Sequence, residues 1–265
     1  MNRVALGAMG RKAGVIGLLA LATTLFLPLS RGSADQPTSF SQMFDQPTAI
    51  RDVKAASEAE PVGDIRCTYY GDLMVRETQT ETPYHPSATL IVLAHGQRRP
   101  PCNRAPVRGG VRLQTKGFSL EGRKGGYLIW AFTNPNGASP FMVMDAVSGR
   151  ILYRDADILP DDDMSFVVTL AHGILRLRYT RGYNAPCSMV RDPKGCWLSL
   201  VAHGAVSRQM PPMVRTPENC AQAYKREGDT SDDPSVVQYR VDVTIDATGK
   251  AKVLSRGAVD CTPLP

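Results

Sequence analysis

Three of the four histidines occur in the same tripeptide, Ala-His-Gly, at His95, His172 and His203. Each tripeptide ends an apolar run, so the three imidazoles would meet if those ends converged in the fold. Three imidazoles can hold a zinc or copper ion and leave one position open for water, as in a metal-dependent enzyme. No pair has the His-x-x-x-His spacing of a helical metal site, and a half-exposed histidine in a small turn explains each one equally well. The sequence therefore predicts no cofactor and keeps zinc or copper as an alternative.

A basic segment runs from Arg98 to Lys124, where eight basic residues face the single acid Glu121. Such an excess of positive charge can bind an anionic envelope polymer or phospholipid head groups. The same bases could instead pair with acids of the same chain. We take four of them as candidate binding residues: Arg98, Arg99, Arg104 and Arg108.

An acidic run contains Asp155, Asp157 and the triplet 161–163. Closely spaced carboxylates can bind calcium, but the spacing lacks the alternate ligands, glycine and distant glutamate of a calcium loop. The run therefore predicts a solvated loop.

A third candidate is the ten-residue segment from Cys187 to Cys196, which would become a small covalent loop if its two ends were bridged. Arg191 would lie at the tip of that loop. A rigid loop loses little entropy on binding, so a secreted protease inhibitor is a second alternative. The simpler interpretation is a turn that the disulfide closes before the element expected at 196–203.

The chain has six cysteines, an even number, and the N-terminus described below predicts export, so we expect three disulfides. Six cysteines allow about fifteen pairings. Proximity along the chain favours Cys187 with Cys196, Cys67 with Cys102, and Cys220 with Cys261.

The elements that must position these residues are mostly strands. Short runs of β-branched and aromatic residues recur from Ile65 onward, each bounded by Gly, Pro, Asn or Asp. Apolar and polar residues alternate from Val237 to Ile245, before a turn at Gly249. This alternation indicates a strand with one solvent-exposed face. Two short helices are expected late in the chain, at about 217–226 and at 196–203, although 197–201 would also fit a strand. The expected fold is a mainly β, disulfide-stabilised sandwich or partly open barrel in one domain, 62–265.

The N-terminus has the pattern of a cleavable signal peptide. Basic residues precede an uncharged apolar run from Ala13 to Ser30, and the small residues before Ala34 suit a signal peptidase. We expect cleavage after Ala34, a flexible polar tether at 35–61, and a periplasmic or secreted protein. An uncleaved anchor helix is the alternative, which Pro28 disfavours.

Cleavage also changes the charge of the chain. Residues 1–34 hold four of the 31 basic residues and none of the 25 acidic ones, so the mature chain would have 27 bases against 25 acids. A nucleic-acid partner is therefore not expected. Contact with a membrane is expected only through the signal peptide before cleavage.

The sequence has no nucleophile motif of the Gly-x-Ser-x-Gly or Ser-x-x-Lys type and no phosphate-binding glycine loop. The preferred function is an exported, non-catalytic binding or structural protein of a bacterial-type envelope, with an anionic polymer or a protein as partner. The sequence does not predict an oligomeric state.

Overall fold

A computed structural model describes residues 43–55, 63–78, 87–105, 108–134, 137–158, 166–203, 216–228 and 231–264. The chain divides into two units, Met1–Gln36 and Pro37–Pro265, and all the described residues belong to the second unit. The predicted signal peptide lies outside the described residues. Within the described ranges, no helix has the length and hydropathy needed to cross a membrane.

The first sheet has five antiparallel strands that are neighbours in chain order. These strands are β1 (Ala49–Val53), β2 (Ile65–Tyr69), β3 (Leu73–Thr78), β4 (Ser87–Val92) and β5 (Val111–Leu113). Strands that follow one another in the chain thus lie side by side, although the connection from β4 to β5 extends over residues 93–110.

The second sheet has the order β13-β12-β11-β9-β8-β7-β6, and β10 pairs with β11 outside this path. Its strands are β6 (Ser119–Lys124), β7 (Tyr127–Ala131), β8 (Ser139–Asp145), β9 (Ile151–Asp157), β10 (Val167–Ala171), β11 (Ile174–Ala185), β12 (Ser235–Ile245) and β13 (Ala251–Pro263). Strand β11 pairs with β12 from Leu175 to Ala185. Its other edge pairs first with β10 and then meets β9, where Arg181 lies opposite Asp157.

The two sheets pack face to face across a shared apolar core. Leu73, Val75 and Leu90 from the first sheet meet Trp130 and Met142 from the second. Residues that alternate with these along the second sheet face the other way, because successive side chains of a strand point to opposite faces. Neither sheet closes into a barrel.

The opposite face of the second sheet buries a larger core. This core contains Ile129, Phe141 and Val143 together with the apolar residues of β11 and β12. Two helices add to it, α1 (Pro193–Ala202) and α2 (Thr216–Glu227), through buried cysteines and Leu200. Asp192 caps α1 by accepting a hydrogen bond from the Gly195 amide at 2.9 Å, with Pro193 in the first turn.

Three disulfides tie the fold together, and their pairing is the one favoured from the sequence. Cys67 joins Cys102 on the outer face of the first sheet, where both pack with Ile65 and Tyr69. Cys187 joins Cys196 at the start of α1, and Cys220 of α2 joins Cys261 of β13. Three disulfides are consistent with an oxidising compartment.

The mainly β fold and the two late helices are confirmed, but the prediction of a flexible tether at 35–61 was wrong for residues 43–55. Strand β1 pairs with β2 over five residues, and Met43 and Phe44 are buried in the larger core. Two of the five strand residues are partly buried and the other three exposed, as expected for a strand at the edge of a sheet. Because β1 has no buried face, its sequence shows no alternation of apolar and polar residues that would predict a strand.

The acidic run was also only partly the solvated loop that its composition predicts. Asp155 and Asp157 belong to β9, two residues apart and therefore on one face of the strand. That face points into the larger core, so both carboxyl groups are buried. The triplet at 161–163 lies outside the described residues.

Candidate functional site

A cavity of about 190 Å³ lies beside strands β6 to β9 on the face of the second sheet that carries the larger core. Among the described residues, its walls are mostly apolar, with four phenylalanines, and its polar side chains carry two carboxyls and two hydroxyls. The lining residues are Phe44, Glu121, Ile129, Ala131, Phe132, Thr133, Ser139, Phe141, Asp157 and Phe166. An apolar cavity with few convergent polar groups is typical of a small-molecule site. We call it the phenylalanine pocket.

Phe44 reaches the pocket because the segment before β1 is fixed to the β6–β7 hairpin. The Asp45 amide donates to the Arg123 carbonyl at 2.8 Å, and the Asp45 carboxylate accepts from the Gly125 amide at 2.7 Å. Gly122 leaves the space for the ring, since a Cβ at this position would lie 2.5 Å from a Phe44 ring carbon. The close approach therefore depends on a glycine at 122.

Glu121 reaches the rim of the pocket through a β-bulge. The register of β6 against β7 shifts between Leu120 and Gly122, and Glu121 is the additional residue. A bulge redirects the side chain of the inserted residue, and bulges are frequent next to functional sites. Glu77 of β3 supports this bulge by accepting a hydrogen bond from the Leu120 amide at 2.9 Å. The Glu121 residue remains solvent-exposed, but nearby protein atoms desolvate its carboxyl and raise the pKa.

Asp157 is the buried acid of the pocket, with 5% of its surface exposed. It lies at the end of β9, opposite Ser139 of β8 and Arg181 of β11. Burial raises the pKa of its carboxyl to about 6, with a contribution from repulsion by Glu121 and Asp155, against the opposing effect of its own backbone amide. The carboxyl group therefore changes charge close to neutral pH.

Arg181 does not neutralise Asp157, because its guanidinium is bound to Asp155. Their ion pair is buried, with 13% and 5% of the two side chains exposed, and the Arg181 Nε donates to Asp155 at 2.7 Å. The hydroxyls of Tyr153 and Tyr179 also donate to the same carboxylate. Burial lowers the pKa of Arg181, but the attraction and hydrogen bonds of Asp155 outweigh it and hold that pKa above its usual value.

The pocket therefore combines an apolar body with a negative end. Within the described part of the chain, neither Asp157 nor Glu121 forms an ion pair. Among the described residues, the charged groups that shift the pKa of Asp157 are two carboxylates, those of Glu121 and Asp155. A buried anion without a counter-charge is costly, and such groups are more frequent at functional sites than elsewhere.

The structure separates the predicted basic residues into two groups. Arg104 donates hydrogen bonds to the carbonyls of Lys54 at 2.6 Å and Gly63 at 3.5 Å, so it holds the connection between β1 and β2. Arg98, Arg99 and Arg108 are exposed. Across the residues that the structure describes, these three form no ion pair.

Arg51, which the sequence does not single out, lies near Arg99. Burial raises the pKa of the Tyr69 hydroxyl, and Arg51 and Arg99 both oppose that rise by their positive charge. The same hydroxyl donates to the Pro100 carbonyl at 2.8 Å, and the disulfide of Cys102 fixes this loop over the first sheet. Two arginines that are distant in sequence thus lie around one tyrosine.

The segment between Cys187 and Cys196 is a turn followed by the first residues of α1 rather than an extended loop. Met189 is fully buried, and its amide donates to the Ser235 hydroxyl at 2.8 Å. Arg191 is exposed and pairs with Asp232 at 2.8 Å. Protease inhibition through Arg191 stays a prediction.

The three histidines of the Ala-His-Gly tripeptides lie in separate turns. His95 follows β4, His172 forms the turn between β10 and β11 with a φ of 51°, and His203 ends α1. Within the described ranges, no group of three or more His, Cys, Asp or Glu side chains is placed to hold a metal ion. The zinc or copper hypothesis stays a prediction.

Comparisons of the chain with protein-family models, with curated proteins and with solved structures find no match. What this protein binds has therefore to be inferred from its own residues. Sequence reasoning missed the phenylalanine pocket, although one signal was present. Tyr153, Asp155 and Asp157 alternate with Arg154 and Ala156 along β9, which places both acids on the same face of the strand as Tyr153, a residue that packs against the larger core.

Proposed function

We propose that this protein is an exported binding protein that takes a small, mainly apolar ligand into the phenylalanine pocket. The observation that carries the proposal is the combination of an apolar cavity of about 190 Å³ with a buried acid, Asp157, at its wall. An engineered apolar cavity of about 150 Å³ binds benzene in another protein, so this volume suits a molecule with one aromatic ring and a few further atoms. The four phenylalanines supply the apolar contacts, and the acids and hydroxyls supply orientation.

Benzyl alcohol is a suitable neutral probe, because it has one ring and one hydroxyl. We expect saturable binding of benzyl alcohol by the oxidised protein in calorimetry or NMR titration. Ala131→Leu should weaken this binding at least tenfold, because the larger side chain fills the pocket that Ala131 lines. Ala171→Leu is the matched control, since Ala171 is exposed at the end of β10. Equal binding by the two variants, or no binding by the unmodified protein, would overturn the proposal.

We also propose that the protein is exported, a location with which the three disulfides are consistent because disulfides form in an oxidising compartment. The proposal includes removal of residues 1–34 and a periplasmic or secreted location. Expression of the full chain in a bacterium should yield a mature protein that begins at Asp35. N-terminal sequencing of the exported protein checks this, and an intact Met1 would contradict it.

An anion-binding surface at Arg98 and Arg99 is a second candidate, favoured by the nearby Arg51. Three exposed guanidinium groups without ion pairs among the described residues suit an anionic envelope polymer. Arg99→Glu should reduce retention on immobilised dextran sulfate and lower the salt concentration of elution. Arg176→Glu changes the net charge equally at an exposed position of β11, and its elution should shift less. Equal shifts would show that net charge alone determines retention.

A further inference from the structure

We propose that the ligand of the phenylalanine pocket is a cationic amphiphile: a molecule with an apolar body about the size of one aromatic ring and a protonated amine that pairs with Asp157. This inference rests on the proposed function, since it names the chemical class of the ligand in the same pocket.

Negative charge is in excess around Asp157. Among the described residues, the charged groups beside it come from three strands: Glu121 from β6, Asp155 from β9 and Arg181 from β11. Arg181 is paired with Asp155, so the charges of these two residues cancel. The net charge of the cluster is therefore −1 when Glu121 is ionised and −2 when Asp157 is ionised as well. A ligand ammonium would supply the missing positive charge, and it would do so where burial strengthens the attraction.

The walls of the pocket suit an organic cation better than a metal ion. Of the described residues that line the pocket, Glu121, Thr133, Ser139 and Asp157 are polar and the others are apolar. A calcium ion takes six to eight oxygen ligands, which this lining is poorly suited to supply. An organic cation requires only one or two polar partners, and its body would fill the apolar space. Aromatic rings also attract an ammonium group through their faces.

An anionic ligand is disfavoured by the same charges, because it would add a further negative charge beside Asp157 and Glu121. A neutral ligand fits the walls but leaves the Asp157 carboxylate without a counter-charge. The titration of Asp157, whose pKa burial raises to about 6, adds a consequence. Since its carboxyl group becomes neutral at acidic pH, an amine ligand should bind less tightly at pH 5 than at pH 7.5.

The experiment compares benzylamine, which is protonated at both pH values, with benzyl alcohol of the same size. At pH 7.5 we expect the Kd of benzylamine to be about ten- to a hundredfold lower, the range for hydrogen bonds between charged groups. Asp157→Asn should abolish this difference while benzyl alcohol still binds. Glu121→Gln should reduce it in part, and Glu227→Gln, an exposed residue at the end of α2, should leave it unchanged.

Each outcome decides between the two proposals. Equal affinities for the two probes would overturn the cationic ligand and leave the pocket as a binding site. No binding of either probe would overturn the proposed function itself. A preference for benzylamine that persists in Asp157→Asn but disappears in Glu121→Gln would show that Asp157 is not the partner of the amine.

Discussion

The Asp157 carboxyl should make the stability of the protein depend on pH, because its pKa is raised from 3.8 to about 6 in the folded state. At about pH 3 and below, the group is mostly protonated in both states, and it has little effect on stability. As the pH rises from about 4 to about 6, the unfolded chain releases the proton while the folded chain retains it. The free energy of unfolding therefore falls through this window, by about 3 kcal/mol in total, and stays lower at higher pH.

Asp157→Asn should remove this pH dependence. We expect the variant to be more stable than the unmodified protein at pH 7.5, and nearly equal to it at pH 4. Urea unfolding followed by circular dichroism at both pH values measures the difference. Asp72→Asn is an opposite control, since the hydrogen bond and charge of Arg123 lower the pKa of Asp72. Its substitution should reduce stability at neutral pH, and a loss of stability in Asp157→Asn at pH 7.5 would contradict the assignment.

Arg181 should matter more for stability than any exposed arginine, because its loss leaves Asp155 buried without its cation. Removal of one member of a buried ion pair costs about 3–5 kcal/mol in other proteins. We therefore expect Arg181→Met to lower the free energy of unfolding by this amount. Arg191→Met breaks the exposed pair with Asp232 and should cost less than about 1 kcal/mol. Similar costs for the two variants would show that the tyrosine hydroxyls alone satisfy Asp155.

At the scale of elements, the disulfides should differ in how much they stabilise the fold. Cys220 and Cys261 are 41 residues apart, and Cys187 and Cys196 are 9 apart. In the loop-entropy model, the longer loop restricts the unfolded chain more, with about 4 kcal/mol expected against about 2.5 kcal/mol. Paired Cys→Ser variants of each bridge, compared by urea unfolding, test this order. A larger loss for the shorter loop would mean that the bridge acts chiefly on the folded state around α1.

The local elements were predictable because their signals are local. The alternation from Val237 to Ile245 indicates β12, and all five apolar positions are buried. The turn at Asp246 and Gly249 closes the hairpin, with the Asp246 carboxylate accepting from the Thr248 amide at 2.9 Å and Gly249 at a φ of 82°. Each of these features depends on residues within one hairpin.

The pocket could not be predicted in the same way, because its residues meet only through tertiary packing. Phe44 precedes β1, and the position of Glu121 depends on a bulge. Asp157 is the last residue of a strand whose acidic composition predicts a loop. Sequence patterns carry little information on a bulge, since the shift in register arises between two paired strands. Arg51 was missed for a related reason: an exposed edge strand has no apolar alternation.

At the scale of the described fold, strands β7 and β8 connect two cores. Leu128 and Trp130 of β7 belong to the core between the sheets, whereas Tyr127 and Ile129 belong to the larger core on the opposite face. Strand β8 divides its residues in the same way, with Met142 on one side and Val143 on the other. Because the same backbone carries both faces, neither core can lose its packing without disturbing the other.

The two tryptophans of the chain allow a direct test of this coupling, because they report on different cores. Trp130 is buried between the sheets, and Trp197 packs against the larger core from α1. In Trp197→Phe the remaining tryptophan, Trp130, reports on the core between the sheets. In Trp130→Phe the remaining Trp197 reports on the larger core. Trp130→Phe removes no hydrogen bond of the indole N–H among the described residues, so its cost should come from the smaller ring alone. In each variant, we expect the fluorescence and circular dichroism transitions in urea to coincide. Separate midpoints in either variant would show that the two cores unfold independently, and that β7 and β8 do not couple them.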